Sequence, residues 1–259
     1  MTESSPPNSG TRCIPEKMAA EPAAKTSVRV GREIQRFRKR LTKYANLIAK
    51  GHPDAYLKGA KGVIHVGANV GQERHLYGQH DIRVIWIEPI PSVYEILKRN
   101  ISSYPKQHAI KALITDREGA SHTLHIANNN GASSSIYEMH QCKDIWPQVT
   151  YVGELTLTSS TLPSIVARHN IDLNDYDILI MDTQGTELDI LIGSTEILPH
   201  FNYIKTEAAD FEAYKHCGRL SEIEAYLYDH NFALARQDKI AEHPEGGAYY
   251  DVLFKRGVT

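Results

Sequence analysis

VIHVGANVG, residues 63–71, is the stretch whose reading decides the fold. A short run of strand-forming residues enters a Gly-x-Asn-x-Gly turn, and a helical pattern carrying Leu76 and Tyr77 follows. A strand that stops at a glycine turn and passes straight into a helix is the opening unit of a parallel α/β sheet. Glycine suits such a turn because the backbone must bend sharply and approach a ligand with no Cβ in the way. The helix behind the turn is expected to aim its free N–H groups at the same point, where a carboxylate or phosphate would be welcome.

Further along the chain, strand and helix patterns continue to alternate. Gly62–Val66, Val84–Ile87 and Asp177–Met181 read as buried strands, each followed by a helical pattern. Pro91 sits at a helix start, with Val93, Ile96, Leu97 and Ile101 as its expected buried face. Phe201–Thr206 reads as another strand. Ser221 and Glu224 have the spacing of a capping box, and Asn231 suits the left-handed residue that ends the same helix. Phe232–Ala235 and Tyr249–Phe254 then read as two strands joined by a turn at 243–247, with no helix between them. The fold class is therefore α/β: a doubly wound, mainly parallel Rossmann-like sheet ending in an antiparallel hairpin. That ending is foreign to a nicotinamide domain and matches a class I methyltransferase sheet.

The chain of 259 residues is 41% hydrophobic and 23% charged, which fits one α/β domain with extensions. No run of 18 apolar residues is present, and the first residues lack an apolar signal core. Cys13, Cys142 and Cys217 form neither a disulfide framework nor a zinc pattern, so a cytoplasmic location is expected. Residues 29–50 carry +7, the first 28 balance to zero, and residues 51–259 carry −9. The expected organisation is a disordered segment at 1–27, a basic helical extension at 28–60, and a catalytic domain at 61–259. Ile34, Phe37, Leu41, Tyr44 and Ile48 form the apolar stripe of the basic helix, which is expected to pack on the domain with its charges solvated.

Glu88 lies 21 residues after Gly67, at the end of the next strand. A nucleoside-binding fold places there the carboxylate that accepts hydrogen bonds from ribose hydroxyls. Which nucleoside is narrowed by absences: Arg74 stands where a dinucleotide loop has its third glycine, and no Gly-x-x-x-x-Gly-Lys-Ser/Thr loop exists.

Together these residues resemble the FkbM-type methyltransferases. The stretches that carry the likeness are VIHVGANVGQE (63–73), IEPIPSVYEILKRNI (87–101), GASSSI (131–136), LTLTSSTLPSI (155–165), ILIMDTQGTELDILIGS (178–194) and YIKTEA (203–208), with the ending at 233–256 similar too. The resemblance implies a class I fold, S-adenosylmethionine as cofactor, and methylation of a hydroxyl on a sugar or secondary metabolite. It implies cofactor contacts at Gly67, Ala68, Asn69, Gly71, Glu88, Pro89 and Ala112. Members usually carry Asp where this chain has His65, and that acid helps hold the methionine amine. His65 can do so only as a neutral acceptor.

Methyl transfer to a hydroxyl needs alignment of the two partners and a base for the hydroxyl proton. Asp182 and Glu207 end two strands beside the glycine turn and are the expected catalytic pair, the competing role for Asp182 being a helix cap. Glu187 begins a helix, where it complements the dipole, and is a weaker substrate candidate. Ser133, Ser134 and Ser135 of the loop NNNGASSS (128–135) are expected substrate or lid contacts. No metal site is expected, although Asp182, Glu207 and Asp210 would supply oxygen ligands if a divalent ion were used. The expected partner is a small-molecule acceptor and no membrane. A nucleic-acid methyltransferase using the basic helix is the alternative enzyme, weakened by the acidic body and by Met-Asp-Thr-Gln (181–184) after the central strand. A nucleoside-binding protein that has lost catalysis is the remaining alternative.

Overall fold

A computed structural model gives the fold of residues 54–257. The segment 1–27 and the stripe of the basic helix lie outside the described residues. Only the end of that extension is described, a 3₁₀ turn at Ala55–Leu57 with Tyr56 and Leu57 buried.

The first half of the domain runs β1 (Gly62–Val66), α1 (Arg74–Gln79), β2 (Arg83–Ile87), α2 (Pro91–Ile101) and β3 (Gln107–Ile110). An insertion follows: β4 (Leu113–Ile114), β5 (Ser121–Ala127), α3 (Cys142–Ile145) and β6 (Tyr151–Ser160). The chain then returns through α4 (Leu162–Arg168), β7 (Ile178–Met181), α5 (Glu187–Gly193), β8 (Tyr203–Ala209), α6 (Leu220–Asp229), β9 (Phe232–Glu242) and β10 (Ala248–Arg256).

Seven strands form the main sheet in the order β3-β2-β1-β7-β8-β10-β9. The pairings from β3 through to β8 are parallel, whereas β10 is antiparallel to both β8 and β9. The closing hairpin therefore inserts its second strand into the sheet and leaves the first at the edge. Burial explains the choice. Val252 and Phe254 of β10 are buried, while Lys239, Ile240 and Glu242 of β9 face solvent, the charges that protect a sheet edge. The strand order reverses between β1 and β7, and open α/β sheets bind ligands outside the carboxyl ends at such a point.

Apolar layers cover both faces of the sheet, which is why the central strands are apolar without alternation. Ile64, Val66, Leu179, Met181 and Ile204 pack on one side; Val63, Trp86, Ile178 and Ile180 pack on the other. α2 begins at Pro91 and buries Val93, Leu97 and Ile101, but Ile96 is exposed, contrary to its expected place on the buried face. The expected capping box is displaced by two residues. Glu222, not Glu224, reaches back to accept the Arg219 N–H at 2.9 Å, because α6 opens at Leu220. Asn231 does take the left-handed conformation, with φ 65°. β8 starts at Tyr203, two residues after the expected strand start, since buried Phe201 closes a 3₁₀ turn at Leu198–His200.

A second sheet of three strands, β4-β6-β5, was not expected from the sequence. Its alternating residues Leu124, Ile126, Leu155 and Leu157 pack with Ile90, just before α2, and Val93 in its first turn. It thereby stands beside the carboxyl end of β2, where the site lies.

Candidate active site

The glycine turn is held by its own backbone. Gly67 and Ala68 both donate their N–H groups to the Ile87 carbonyl, tying the end of β1 to the end of β2. Gly67 has φ +79°, and a Cβ there would lie 1.9 Å from the Asp182 carbonyl oxygen, so only glycine lets β1 and β7 approach this closely. Asn69, at φ 45°, donates its N–H to Glu88 Oε2 at 2.9 Å, and Ile90 donates its N–H to Oε1 at the same distance. Val70 N–H is bonded by the Asn69 side chain, and Gly71 N–H by the Ala68 carbonyl. The turn's amides at 67–71 thus find partners inside the protein, so a ligand would meet none of these five N–H groups free. The polar feature presented instead is the Glu88 carboxylate. It is 4% exposed, and burial pushes its pKa up to about 7 against the opposing pull of the two N–H donors.

Glu88 lies in a cleft also lined by Gly67, Asn69, Pro89 and Ala112 among the expected contacts. Ala68 and Gly71 lie elsewhere. Ala68 is buried in the core, and Gly71 is a packing glycine, since a Cβ there would come within 2.7 Å of Leu97. The cleft has an apolar slot that sequence reasoning missed, formed by Ile90, Leu113, Ile114, Leu124 and Ile136. The alternation in β5 and the short apolar β4 were the available signals. A carboxylate beside an apolar slot fits a nucleoside, the acid for the ribose diol and the slot for the base.

Asp182 follows β7 and borders this cleft and two further cavities. It does not cap α5, whose N-cap is Thr186. Instead its Oδ1 accepts from Gln184 Nε2 at 2.6 Å, while Tyr214 donates to Gln184 Oε1 at 2.7 Å and Ser135 to the Gln184 carbonyl at 2.7 Å. Gln184, at φ 58°, and Tyr214 were not anticipated; both act by orienting the Asp182 carboxyl. Glu187 accepts from Thr183 N–H at 2.8 Å, the Thr183 hydroxyl at 3.0 Å and Gly185 N–H at 2.9 Å. Both its oxygens are engaged in shaping the 183–185 loop, and it borders none of the three cavities.

The outer cavity, of about 540 Å³, shares Ala132, Asp182 and Gln184 with the nucleoside cleft. Trp146 and Tyr249 form aromatic walls, and Asn128, Asn129, Gln148 and Ser133 supply polar groups. Glu207 also borders it, and among the described residues no lysine or arginine does. The three serines separate: Ser133 faces this cavity, Ser134 the nucleoside cleft, and buried Ser135 is held by Gln184. Asp182 and Glu207 are therefore brought together at one cavity. Burial raises the pKa of both, and Glu207 is raised further because Asp182, Asp251 and Glu187 add their negative charges. Asp210 is not part of this group. Its carboxylate accepts the Ala248 N–H at 2.8 Å and so fixes the start of β10. Among the described residues, no group of three His, Cys, Asp or Glu is placed to hold a metal ion.

His65 points away from the nucleoside cleft and borders the third cavity. It is 5% exposed, stacks on Trp86 with centroids 5.0 Å apart, and its Nδ1 lies 3.2 Å from the Tyr77 hydroxyl. Burial, aided by Lys205, lowers its pKa to about 3, so the ring is neutral.

A sheet with one antiparallel strand inserted next to its edge, and a carboxylate-bearing nucleoside cleft at its point of reversal, defines an S-adenosylmethionine-dependent methyltransferase of class I architecture. The description "Methyltransferase FkbM domain" matches residues 65–234, and the chain belongs to that family. It is also similar to the 2-O-methyltransferase NoeI of Sinorhizobium fredii (strain NBRC 101917 / NGR234), 24% identical over 161 residues. That match covers 59% of this chain and 65% of the relative, so the chain spans just under two thirds of the relative's length. Among solved structures, magnesium protoporphyrin IX methyltransferase (ChlM) from Synechocystis PCC 6803 is 12% identical with a TM-score of 0.44, covering 93% of this chain and 87% of that one. Aeropyrum pernix fibrillarin is 14% identical with a TM-score of 0.43, covering 81% and 74%. No helix among the described residues is long and apolar enough to cross a membrane.

Proposed function

We propose that the chain transfers the methyl group of S-adenosylmethionine to a hydroxyl of a small polar acceptor, a sugar or a secondary metabolite, bound in the outer cavity. The observation that carries this reading is the position of Asp182, in the wall shared by the nucleoside cleft and the outer cavity. Glu88 and the apolar slot would hold the adenosine, and the cofactor supplies an activated methyl on a sulfonium. The chain's own residues supply orientation, exclusion of water and a place for the hydroxyl proton. Aromatic walls with amide and hydroxyl groups suit a neutral polyhydroxyl compound, and the lack of lysine or arginine among the described residues of the lining disfavours a phosphate-bearing acceptor. The 2-O-methyltransferase relative supports oxygen as the methylated atom.

Two carboxyls in one cavity, both raised by burial and each opposing ionisation of the other, share the roles of base and hydrogen-bond donor. Asp182, in the wall shared with the nucleoside cleft, is the base that takes the hydroxyl proton as the new bond forms. Glu207, which borders the outer cavity and not the nucleoside cleft, orients the acceptor. Asp182→Asn keeps the bond to Gln184 in size and position but cannot accept a proton. Turnover should drop by about 10²–10⁴ with the affinity for S-adenosylhomocysteine unchanged. A chelator should leave wild-type turnover unchanged. Near-wild-type turnover in Asp182→Asn would remove Asp182 from the chemistry.

A further inference from the structure

The outer cavity depends on a wall that the main sheet does not supply. Trp146 belongs to the insertion, at the exit of α3, and α3 is a single turn, Cys142–Ile145. A helix that short has no stability of its own, so its place is set by what it touches. Its start is held by the backbone, where the Cys142 N–H donates to the Ala213 carbonyl at 3.1 Å. The chain beyond its exit is held by Asn128, whose side chain donates to the Gln148 carbonyl at 2.9 Å. Between these anchors Asp144 reaches the turn that joins β9 to β10, and His243 Nε2 lies 3.0 Å from its Oδ2.

The His243 ring is set to donate there. Its side chain is 1% exposed, against 54% for Asp144. The Glu245 N–H donates to Nδ1 at 3.2 Å, so a neutral ring carries its proton on Nε2, the atom that faces Asp144. The turn beneath is itself fixed, since the His243 N–H donates to the Gly247 carbonyl at 2.9 Å and Asp210 accepts the Ala248 N–H. Aromatic contacts complete a closed ring. His243 packs on Phe211 with centroids 4.7 Å apart, Phe211 meets Tyr249 at 6.2 Å, and Tyr249 meets Trp146 edge-on at 5.5 Å. The chain then leads from Trp146 back to Asp144. Both aromatic walls of the cavity are members of this ring, whereas neither His243 nor Asp144 is among the described residues of its lining.

We propose that His243 and Asp144 are positioning residues of the acceptor site, a latch that holds the Trp146 wall against Tyr249. That the cavity takes the acceptor rests on the function proposed above, whereas the place of Trp146 does not.

Trp146 reports its own position. The other tryptophan, Trp86, is fully buried in the core, so acrylamide quenching of tryptophan fluorescence reads Trp146. Asp144→Ala alters an exposed side chain and removes the acceptor for His243, a change of about fivefold in the closed-to-open ratio of the wall. Because Trp146 is already half-buried rather than enclosed, its quenching constant should rise by less, about twofold. Asp144→Asn still offers an oxygen to Nε2 and should be quenched as wild type is. Affinity for S-adenosylhomocysteine, measured by calorimetry on the full chain, should match wild type in both variants and so certify that they are folded. Wild-type quenching in Asp144→Ala, or an equal rise in Asp144→Asn, would overturn the latch and leave the acceptor reading standing. Weakened S-adenosylhomocysteine binding in Asp144→Ala would also overturn it, because the change would then reach beyond this wall. A wild type that binds no S-adenosylhomocysteine would sink the cofactor reading, and the quenching comparison would still decide the latch.

Discussion

Replacing Glu88 by Gln perturbs the floor of the nucleoside cleft with little change of shape. The wild-type carboxylate accepts the Asn69 and Ile90 N–H groups at 2.9 Å each, and Gln turns one acceptor oxygen into an NH₂ that opposes one of those donors. It also removes the charged acceptor available to a ribose hydroxyl, a loss of about 1.5–3 kcal/mol, or roughly 10- to 150-fold in affinity. A second signature comes from acidity. With a pKa of about 7, Glu88 is mostly protonated at pH 6 and mostly ionised at pH 8. Ribose hydroxyls donate best to the ionised form, so cofactor affinity should rise as pH increases, by about tenfold between pH 6 and pH 8. The Gln variant has no proton to lose here and should show that part of the pH dependence flattened. Calorimetry with S-adenosylhomocysteine at pH 6, 7 and 8, in buffers of different ionisation enthalpy, measures both affinity and proton release. A wild-type affinity that ignores pH, or a Gln variant that binds as tightly as wild type at pH 8, would refute the placing of the ribose on Glu88.

Folding stability should carry the same acid signature with the opposite sign. Glu88 and Glu187 are raised from 4.5 to about 7, so the folded chain keeps protons that the unfolded chain releases between those limits. Stability of the ligand-free protein is therefore expected to fall as pH rises through that window and to level off above it, a trend that thermal melts can follow; a melting temperature climbing from pH 5 to 7 would contradict it. Glu187→Ala leaves two N–H donors and one hydroxyl of the 183–185 loop unpaired and should destabilise the protein by about 3 kcal/mol, read by urea unfolding. A shift below about 0.5 kcal/mol would show the loop is held by other means. Trp146→Ala should raise the acceptor KM by tenfold or more, about 1.4 kcal/mol, while S-adenosylhomocysteine affinity stays as it was; a matched loss of both would place Trp146 outside the acceptor site.

The parts of this molecule legible in its sequence are those governed by local rules. The strand–turn–helix at 62–79 could be read because Gly67 and Gly71 both need positive φ and the strand before them is apolar throughout. Glu88 could be read as a strand-end acid of the cleft because its position depends on a spacing from that turn. What escaped reading depends on distant partners. The β4-β6-β5 sheet hides in residues 113–160 because β6 is largely exposed until its last two residues, so its alternation reads weakly. The insertion of β10 between β8 and β9 is decided by which strand buries more, and a hairpin pattern is blind to that order. Gly71 and Ala68 look like cofactor residues in a linear motif, yet they serve packing, because only Gly67 and Asn69 of that turn border the cleft. Asp182 was legible as a strand-end acid, but Gln184 and Tyr214, which orient it, come together only through the turn at Gln184 and a residue 30 positions away.

The central claim is that an adenosine cofactor lies between Glu88 and Asp182, with the methyl acceptor on the far side of Asp182. A crystal structure of the protein with S-adenosylhomocysteine tests this most directly. The expected result has the ribose hydroxyls on the Glu88 carboxylate, the adenine against Ile90, Leu113 and Ile136, and the sulfur turned toward Asp182. Nucleoside density anywhere else, or a ribose with no contact to Glu88, would contradict it.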